Sequence, residues 1–271
     1  MVDTTTLLID GHVHVYQHYD LNRVLEGGAE NLRRAAAKGG IIHEDDKAIP
    51  ILLLSERHDC NFFKQAMESS LQKPVDGFTF HRTAERESLL VKKNDQLYMF
   101  IIAGRQIVTS EGLEIISVMT TLYIKDRSKS TQDVVRKVSD SGGYPVINWA
   151  PGKWFFKRGE VVNNLIDSLD PTTLLIGDTT LRTTLWPLPS LMKKAKQNGF
   201  KIIAGSDPLP FKDEEKNIGT YGFVVKAKFD ESRPCQSIRA IMRDEKTVPL
   251  LIGSRNNLIK FFKRQVKIMV L

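Results

Sequence analysis

Apolar and polar residues alternate in two registers along this chain, and the switches between them divide it into elements. Thr6 to Asp10 reads as a strand around Leu7-Leu8-Ile9, and Leu21 to Lys38 as a helix weakened by Gly27-Gly28. Ile51-Leu52-Leu53-Leu54 is a continuous apolar run, the signature of a strand buried on both faces. A helix is expected over 61–71. The texture then changes, with strand-like stretches at 77–81, 88–92, 97–104 and 113–120 and little helix between them. Alternation resumes with a helix over 131–139, a strand over 144–149, and helical spacing of Val161, Val162, Leu165 and Ile166. A strand at 173–177, a helix at 189–198 stopped by Gly199, and a strand at 200–204 follow.

Strands alternating with helices predict an α/β fold, a distorted TIM-like barrel of about seven parallel strands carrying a β-hairpin insertion. With no internal repeat and no linker-like tract, residues 1–271 are expected to form a single domain. The last predicted helix, 255–270, places Leu258, Phe261, Phe262, Val266 and Met269 on one face, with Lys260, Lys263, Arg264 and Lys267 opposite. A basic amphipathic helix can lie on a membrane surface. The expectation here is the commoner one, an outer helix packing its apolar side on the sheet.

Composition changes this picture little. A hydrophobic share of 41% and a charged share of 26% are ordinary for a globular protein with a substantial core. No apolar run reaches membrane-spanning length and the start lacks a signal-peptide pattern, so no membrane partner and a cytoplasmic location are expected. Two cysteines, Cys60 and Cys235, are too few for a disulfide framework or a thiolate zinc site. The net charge of +7 is spread along the chain among acidic runs such as Glu44-Asp45-Asp46 and Asp213-Glu214-Glu215. Charge alone is a weak argument for nucleic acid, and a small anionic substrate is the better expectation. There is no Walker loop, no Rossmann fingerprint and no Gly-x-Ser-x-Gly elbow.

The chemistry concentrates at two places. Asp10-Gly11-His12-Val13-His14 follows the first strand, where side-chain alternation aims His12 and His14 the same way, together with Asp10, and Gly11 leaves room for a close backbone. Two imidazoles so placed can share a divalent ion. The second place is Ile202-Ile203-Ala204-Gly205-Ser206-Asp207, an apolar strand delivering an Asp at its C-terminal end. Imidazoles plus a carboxylate suit zinc, manganese or iron. Lys153, Arg158 and Arg182 follow other strands, where a phosphate or carboxylate can be clamped. Trp149, Trp154 and Trp186 either wall an aromatic pocket or pack as core, while His43 and His81 are read as structural.

Asp10-x-His12-x-His14 and Gly205-Ser206-Asp207 resemble the first and last motifs of the polymerase and histidinol phosphatase (PHP) superfamily. The resemblance in strand order covers roughly residues 6 to 210. It implies a distorted α/β barrel that hydrolyses phosphate esters with two or three metal ions. Residue by residue, His12 and His14 match, and His18 or Asp20 stands where a further ligand is expected. Ser55-Glu56-Arg57-His58-Asp59 replaces the family's Thr-Asp-His, offering Glu56 or His58. The family's bridging Glu appears as Gln106, a later His as Asn148, and the His of the last motif as Leu209, while Glu114 can substitute for one ligand. The resemblance thus implies a phosphoesterase with one ion held by His12, His14 and Asp207, helped by His58, Glu56 or Glu114. Asp207 and His58 are its candidate catalytic groups, and Lys153, Arg158 and Arg182 its substrate clamps. The alternative is a degenerate barrel that binds a small anion or a protein without catalysis.

Overall fold

The computed structural model describes residues 4–43, 47–69, 71 and 75–269. The acidic run at 44–46, Ser70 within the second expected helix, the side chain of Met269 and the end of the last expected helix at Val270 lie outside the described residues. The elements run β1 (Thr5–Val13), α1 (Leu21–Lys38), β2 (Ala48–Leu54), α2 (Phe62–Met67), β3 (Phe78–Arg82), β4 (Ser88–Lys93), β5 (Gln96–Ile102), β6 (Gly104–Val108) and β7 (Glu114–Val118). They continue with α3 (Thr131–Asp140), β8 (Tyr144–Asn148), α4 (Phe156–Ser168), β9 (Leu175–Thr179), α5 (Ser190–Gln197), β10 (Ile202–Gly205) and a 3-10 turn at Glu214–Asn217. Last come β11 (Tyr221–Ala227), α6 (Pro234–Arg243), β12 (Leu250–Gly253) and α7 (Leu258–Met269).

The strands form two mixed sheets, and no closed parallel barrel is present among the described residues. One sheet has the order β12-β11-β1-β2-β5-β4-β3, the other β10-β9-β8-β7-β6. Among the described residues, β1 with β2, β2 with β5, β8 with β9 and β9 with β10 pair in parallel, besides one isolated parallel bridge between Glu56 and Arg105. The expectation of about seven parallel strands fails for two reasons. The strand-like stretch between residues 77 and 120 folds as antiparallel meanders at the outer edges of both sheets. In addition, β11 pairs antiparallel with β1 on the side where a closed barrel would place β10. No element is expected from the sequence pattern in 211–254, where β11, α6 and β12 lie.

The apolar side chains sort into three layers. Leu7 and Ile9 of β1, Ile51 and Leu53 of β2, Ile116, Val146, Leu175 and Ile203 meet between the two sheets. Leu8, Leu52 and Leu54 face the other way, under α1 and α2. Ile115, Ile147 and Ile176 pack under α3, α4 and α5, together with Trp149 and Trp154, so these two indoles are core. The continuous run in β2 is therefore buried on both faces, as its pattern predicts.

The sheets interlock beside the C-terminal end of β1. A Cβ on Gly11 would meet the carbonyl oxygen of Ala204 at 2.8 Å, and one on Gly205 would strike His12 itself. Only glycines let β1 and β10 approach this closely. Asp207 N then donates to His12 O at 2.9 Å across the seam.

The last helix reverses its expected orientation. Arg264, on the polar face, is buried at 3% exposure, while Ile259, Phe262 and Val266 are exposed. An arginine with three inward partners holds α7 to the fold, so the polar edge turns in and the apolar face turns out. No helix among the described residues is long and apolar enough to cross a membrane.

Candidate metal centre

A register shift in β1 between Asp10 and Val13 sets the site. The irregularity separates Asp10 from the two histidines, contrary to simple alternation. Asp10 is fully buried and accepts N–H groups from Ser206 at 2.9 Å, Gly219 at 2.8 Å and His12 at 3.2 Å. Burial pushes its carboxyl up to about 6 despite these donors. Its part is to tie the end of β1 to the loop after β10.

His12 and His14 converge with Asp207. The two Nε2 atoms lie 2.9 Å apart, and Asp207 Oδ1 is 3.5 Å from one and 3.6 Å from the other. Tetrahedral ligands at about 2.0–2.1 Å from an ion are separated by about 3.3 Å. The two histidine–carboxylate edges already match that spacing, and the histidine pair would open by about 0.4 Å. Nδ1 of His14 is buried without a well-formed hydrogen bond, as is Oγ of the neighbouring Ser55. Burial, then the neighbouring His12, takes His14 down to about 3, so this ring is neutral and its lone pair is available. Burial alone would raise the Asp207 carboxyl, but His12, His14 and Arg264 outweigh it and hold the group below the usual carboxylate range. Two imidazoles and one carboxylate around a common point form a donor set that fits a divalent ion.

Three contacts place these donors. Asp207 has a left-handed backbone, φ 49°, a conformation found at over-determined functional positions. Arg264 donates to the Asp207 carbonyl at 2.7 Å and to Thr180 Oγ1 at 2.7 Å, and it pairs with Glu214 at 2.9 Å. The side-chain Nδ2 of Asn148 lies 2.7 Å from Nδ1 of His12, while the Asn148 backbone carbonyl accepts the Trp154 indole N–H. Asn148 and Arg264 are the residues in contact with this cluster that sequence reasoning does not assign to it. Asn148 stands where the family pattern expects a histidine, and that position was the available signal. Nothing in the local pattern singles out Arg264 from the other cations of α7.

The remaining candidates lie in other settings. Glu56 is buried, accepting Phe63 N at the start of α2 at 3.0 Å and facing Arg105 at 3.6 Å. Glu114 faces Lys153 at 3.5 Å, and Lys153 also donates to Gly112 O. His58 is exposed and lines a cavity of about 580 Å³ with Gln106, Lys125 and Arg127. His18 stacks on Tyr16, and Asp20 caps α1. Arg158 donates to Gly152 O. Arg182 is buried on Asp178, which also accepts the Tyr221 hydroxyl at 2.8 Å.

No family model matches the chain, and neither does any curated protein. Among solved structures, the chain is similar to PsfC from Pseudomonas syringae PB-5123, with a TM-score of 0.57, 12% identity and 93% of each chain covered. It also matches a two-domain protein from Bacteroides vulgatus ATCC 8482 containing a predicted PHP-like metal-dependent phosphoesterase. There the TM-score is 0.44 and the identity 16%, over 96% of this chain and 70% of the other. The first likeness is one of fold alone, and the second is too loose to bear on fold or function.

Proposed function

We propose that this chain is a metal-dependent hydrolase of the PHP type, acting on a phosphate ester at the end of β1. The observation that carries the reading is the convergence of His12, His14 and Asp207 from two sheets onto one point. In this reading the two mixed sheets are an opened form of the family's seven-stranded barrel, with the site at the rim where β1 meets β10.

His12, His14 and Asp207 would hold the ion, three ligands that leave a position for substrate or water. When bound, a divalent ion supplies Lewis acidity, polarising a phosphoryl oxygen and making water nucleophilic near neutral pH. The chain's own residues do the rest. His14 is held neutral and keeps its lone pair for coordination. Asn148 sits on the far side of His12 with Nδ2 2.7 Å from Nδ1; with the amide turned over, so that Oδ1 accepts from Nδ1–H, it would hold the tautomer that frees Nε2. Asp207 supplies the negative charge of the donor set and would orient or deprotonate the water. His58, Lys125 and Arg127 border a cavity that none of the three ligands lines, and its cations would attract an anion.

The test is elemental analysis of untagged protein purified without chelator, followed by hydrolysis of a generic phosphate ester with and without added metal. One ion per chain and chelator-sensitive hydrolysis are expected. Asp207→Asn should lower turnover at least about 100-fold with the fold retained, because the charge of the donor set is lost. Replacing His12 and His14 together with Ala should abolish ion uptake. Metal binding without hydrolysis across a broad panel of phosphate esters and amides would favour the binding-module reading. The commitment of Glu56, Glu114 and Arg182 to neighbours in the fold speaks for that alternative.

A further inference from the structure

We infer that α7 is an interfacial helix that docks this protein on an anionic lipid surface. Four large apolar side chains of the helix point away from the fold, with exposures of 39% for Leu258, 69% for Ile259, 61% for Phe262 and 59% for Val266. At 3.6 residues per turn they occupy about 100° of the helix circumference, a continuous arc and not scattered surface residues. Contiguous exposure of this kind marks a surface that is covered in use.

Charge identifies what covers it. Lys263, Lys267 and Lys260 follow the arc along one flank, at about 140° to 200° from Leu258 on the same wheel; Lys263 is the outermost, while Lys260 donates to Asn217 Oδ1 at 2.6 Å and Lys267 lies over the Phe211 ring. No Asp or Glu occurs anywhere after Glu245. The nearest acidic side chains belong to the 3-10 turn and its approach, and they are already engaged. Glu214 pairs with Arg264, Asp213 with Lys216 and Arg23, and Glu215 faces Arg23. The outward face is therefore apolar with a purely cationic border. On a lipid surface the arc would sink below the headgroups, and the lysine stems would lie along it with their ammonium groups at the phosphates. Arg264 points the other way, so the helix is fixed on the fold and does not need to detach to dock.

The test is flotation of the full chain with vesicles of phosphatidylserine and phosphatidylcholine (3:7), against phosphatidylcholine alone. The wild type should float with the anionic vesicles at low salt and much less in about 0.5 M salt, where the screening length falls to a few ångströms. Phe262→Asp or Ile259→Asp should each lower partitioning more than about tenfold, from the loss of one buried apolar side chain. Lys263→Glu with Lys267→Glu should lower it at least about thirty-fold, since two attractive charges are lost and two repulsive ones added. All four positions are exposed, so thermal melts of the variants should match the wild type and separate lost docking from misfolding. A wild type that stays unbound at low salt overturns the inference, as does binding that Phe262→Asp leaves unchanged. So does light scattering that shows a dimer which Phe262→Asp converts to a monomer, since the arc would then be covered by a second copy.

Discussion

Replacing Arg264 with Met tests whether the far end of the chain builds the metal centre. The side chain is buried, and its guanidinium reaches three oxygens: Thr180 Oγ1, the Asp207 carbonyl and Glu214 Oε2. Methionine fills much of the volume but makes none of these contacts. Removing one partner of a buried ion pair costs about 3–5 kcal/mol, because the remaining charge is left uncompensated. Glu214 keeps two donors, Leu209 N at 3.3 Å and Asn217 Nδ2 at 2.9 Å, which argues for the low end. The two abandoned neutral acceptors add about 1 kcal/mol each, part of which relaxation recovers. A net loss of about 3–4 kcal/mol lowers the melting temperature by roughly 10 °C in a chain of this size.

Stability alone does not distinguish a brace from a positioning residue, so the second readout is metal affinity, measured by competition with a chromophoric chelator. Without the guanidinium, the left-handed Asp207 loses the donor on its own carbonyl, and affinity should fall at least about tenfold. Adding Glu214→Gln to Arg264→Met should recover part of the stability by removing the stranded charge, but none of the affinity. Unchanged affinity in Arg264→Met, whatever happens to the melting temperature, would refute a positioning role.

Three further outcomes are expected. Asn148→Ala should weaken metal binding about 10–100-fold by freeing the His12 ring, and Asn148→Asp should hold the same tautomer and retain affinity; equal affinity in all three proteins counts against this role. Gly11→Ala places a methyl 2.8 Å from the Ala204 carbonyl oxygen, so it should cost about 1–3 kcal/mol in a denaturant melt and lower metal affinity as β1 and β10 part. Burial pushes the Cys60 thiol up to about 12 and raises Cys235 as well, so the thiolate that reacts is scarce at pH 8; intact-mass measurement after iodoacetamide should find no adduct on native protein and two after denaturation.

Elements whose burial is decided by their own pattern were legible in the sequence. The run Ile51 to Leu54 has no polar side to turn outward, and it lies between two apolar layers. His12, His14 and Asp207 were legible because strand ends impose their direction. Asp10 was misread because a register shift, which no residue pattern announces, removes it from the histidines' company. β11 was missed because an antiparallel strand inserted beside β1 breaks the alternation on which a parallel reading depends. The orientation of α7 was misjudged for a related reason. Amphipathicity says that a helix has two faces, but three oxygens waiting on the fold decide which face turns in.

The same distinction between ligand and neighbour bears on how many ions the site can hold. A second ion beside the first needs additional negative charge within reach, since imidazoles alone do not offset two divalent cations. The extra carboxylates that the sequence offers have their charge answered by the chain itself, Glu56 by Arg105 and the N–H of Phe63, Glu114 by Lys153, and Asp20 by Arg23. Gln106 brings a neutral amide to a cavity lined by Lys125 and Arg127, a setting that attracts anions and repels metal. Leu209 buries its side chain and gives its carbonyl to the Tyr19 hydroxyl. Asn148 is the instructive case: a histidine there would be a ligand, whereas the amide binds the far side of His12. Under the proposed reading, a position that would have enlarged the cluster instead contacts one of its members, and the three donors left would serve a single ion.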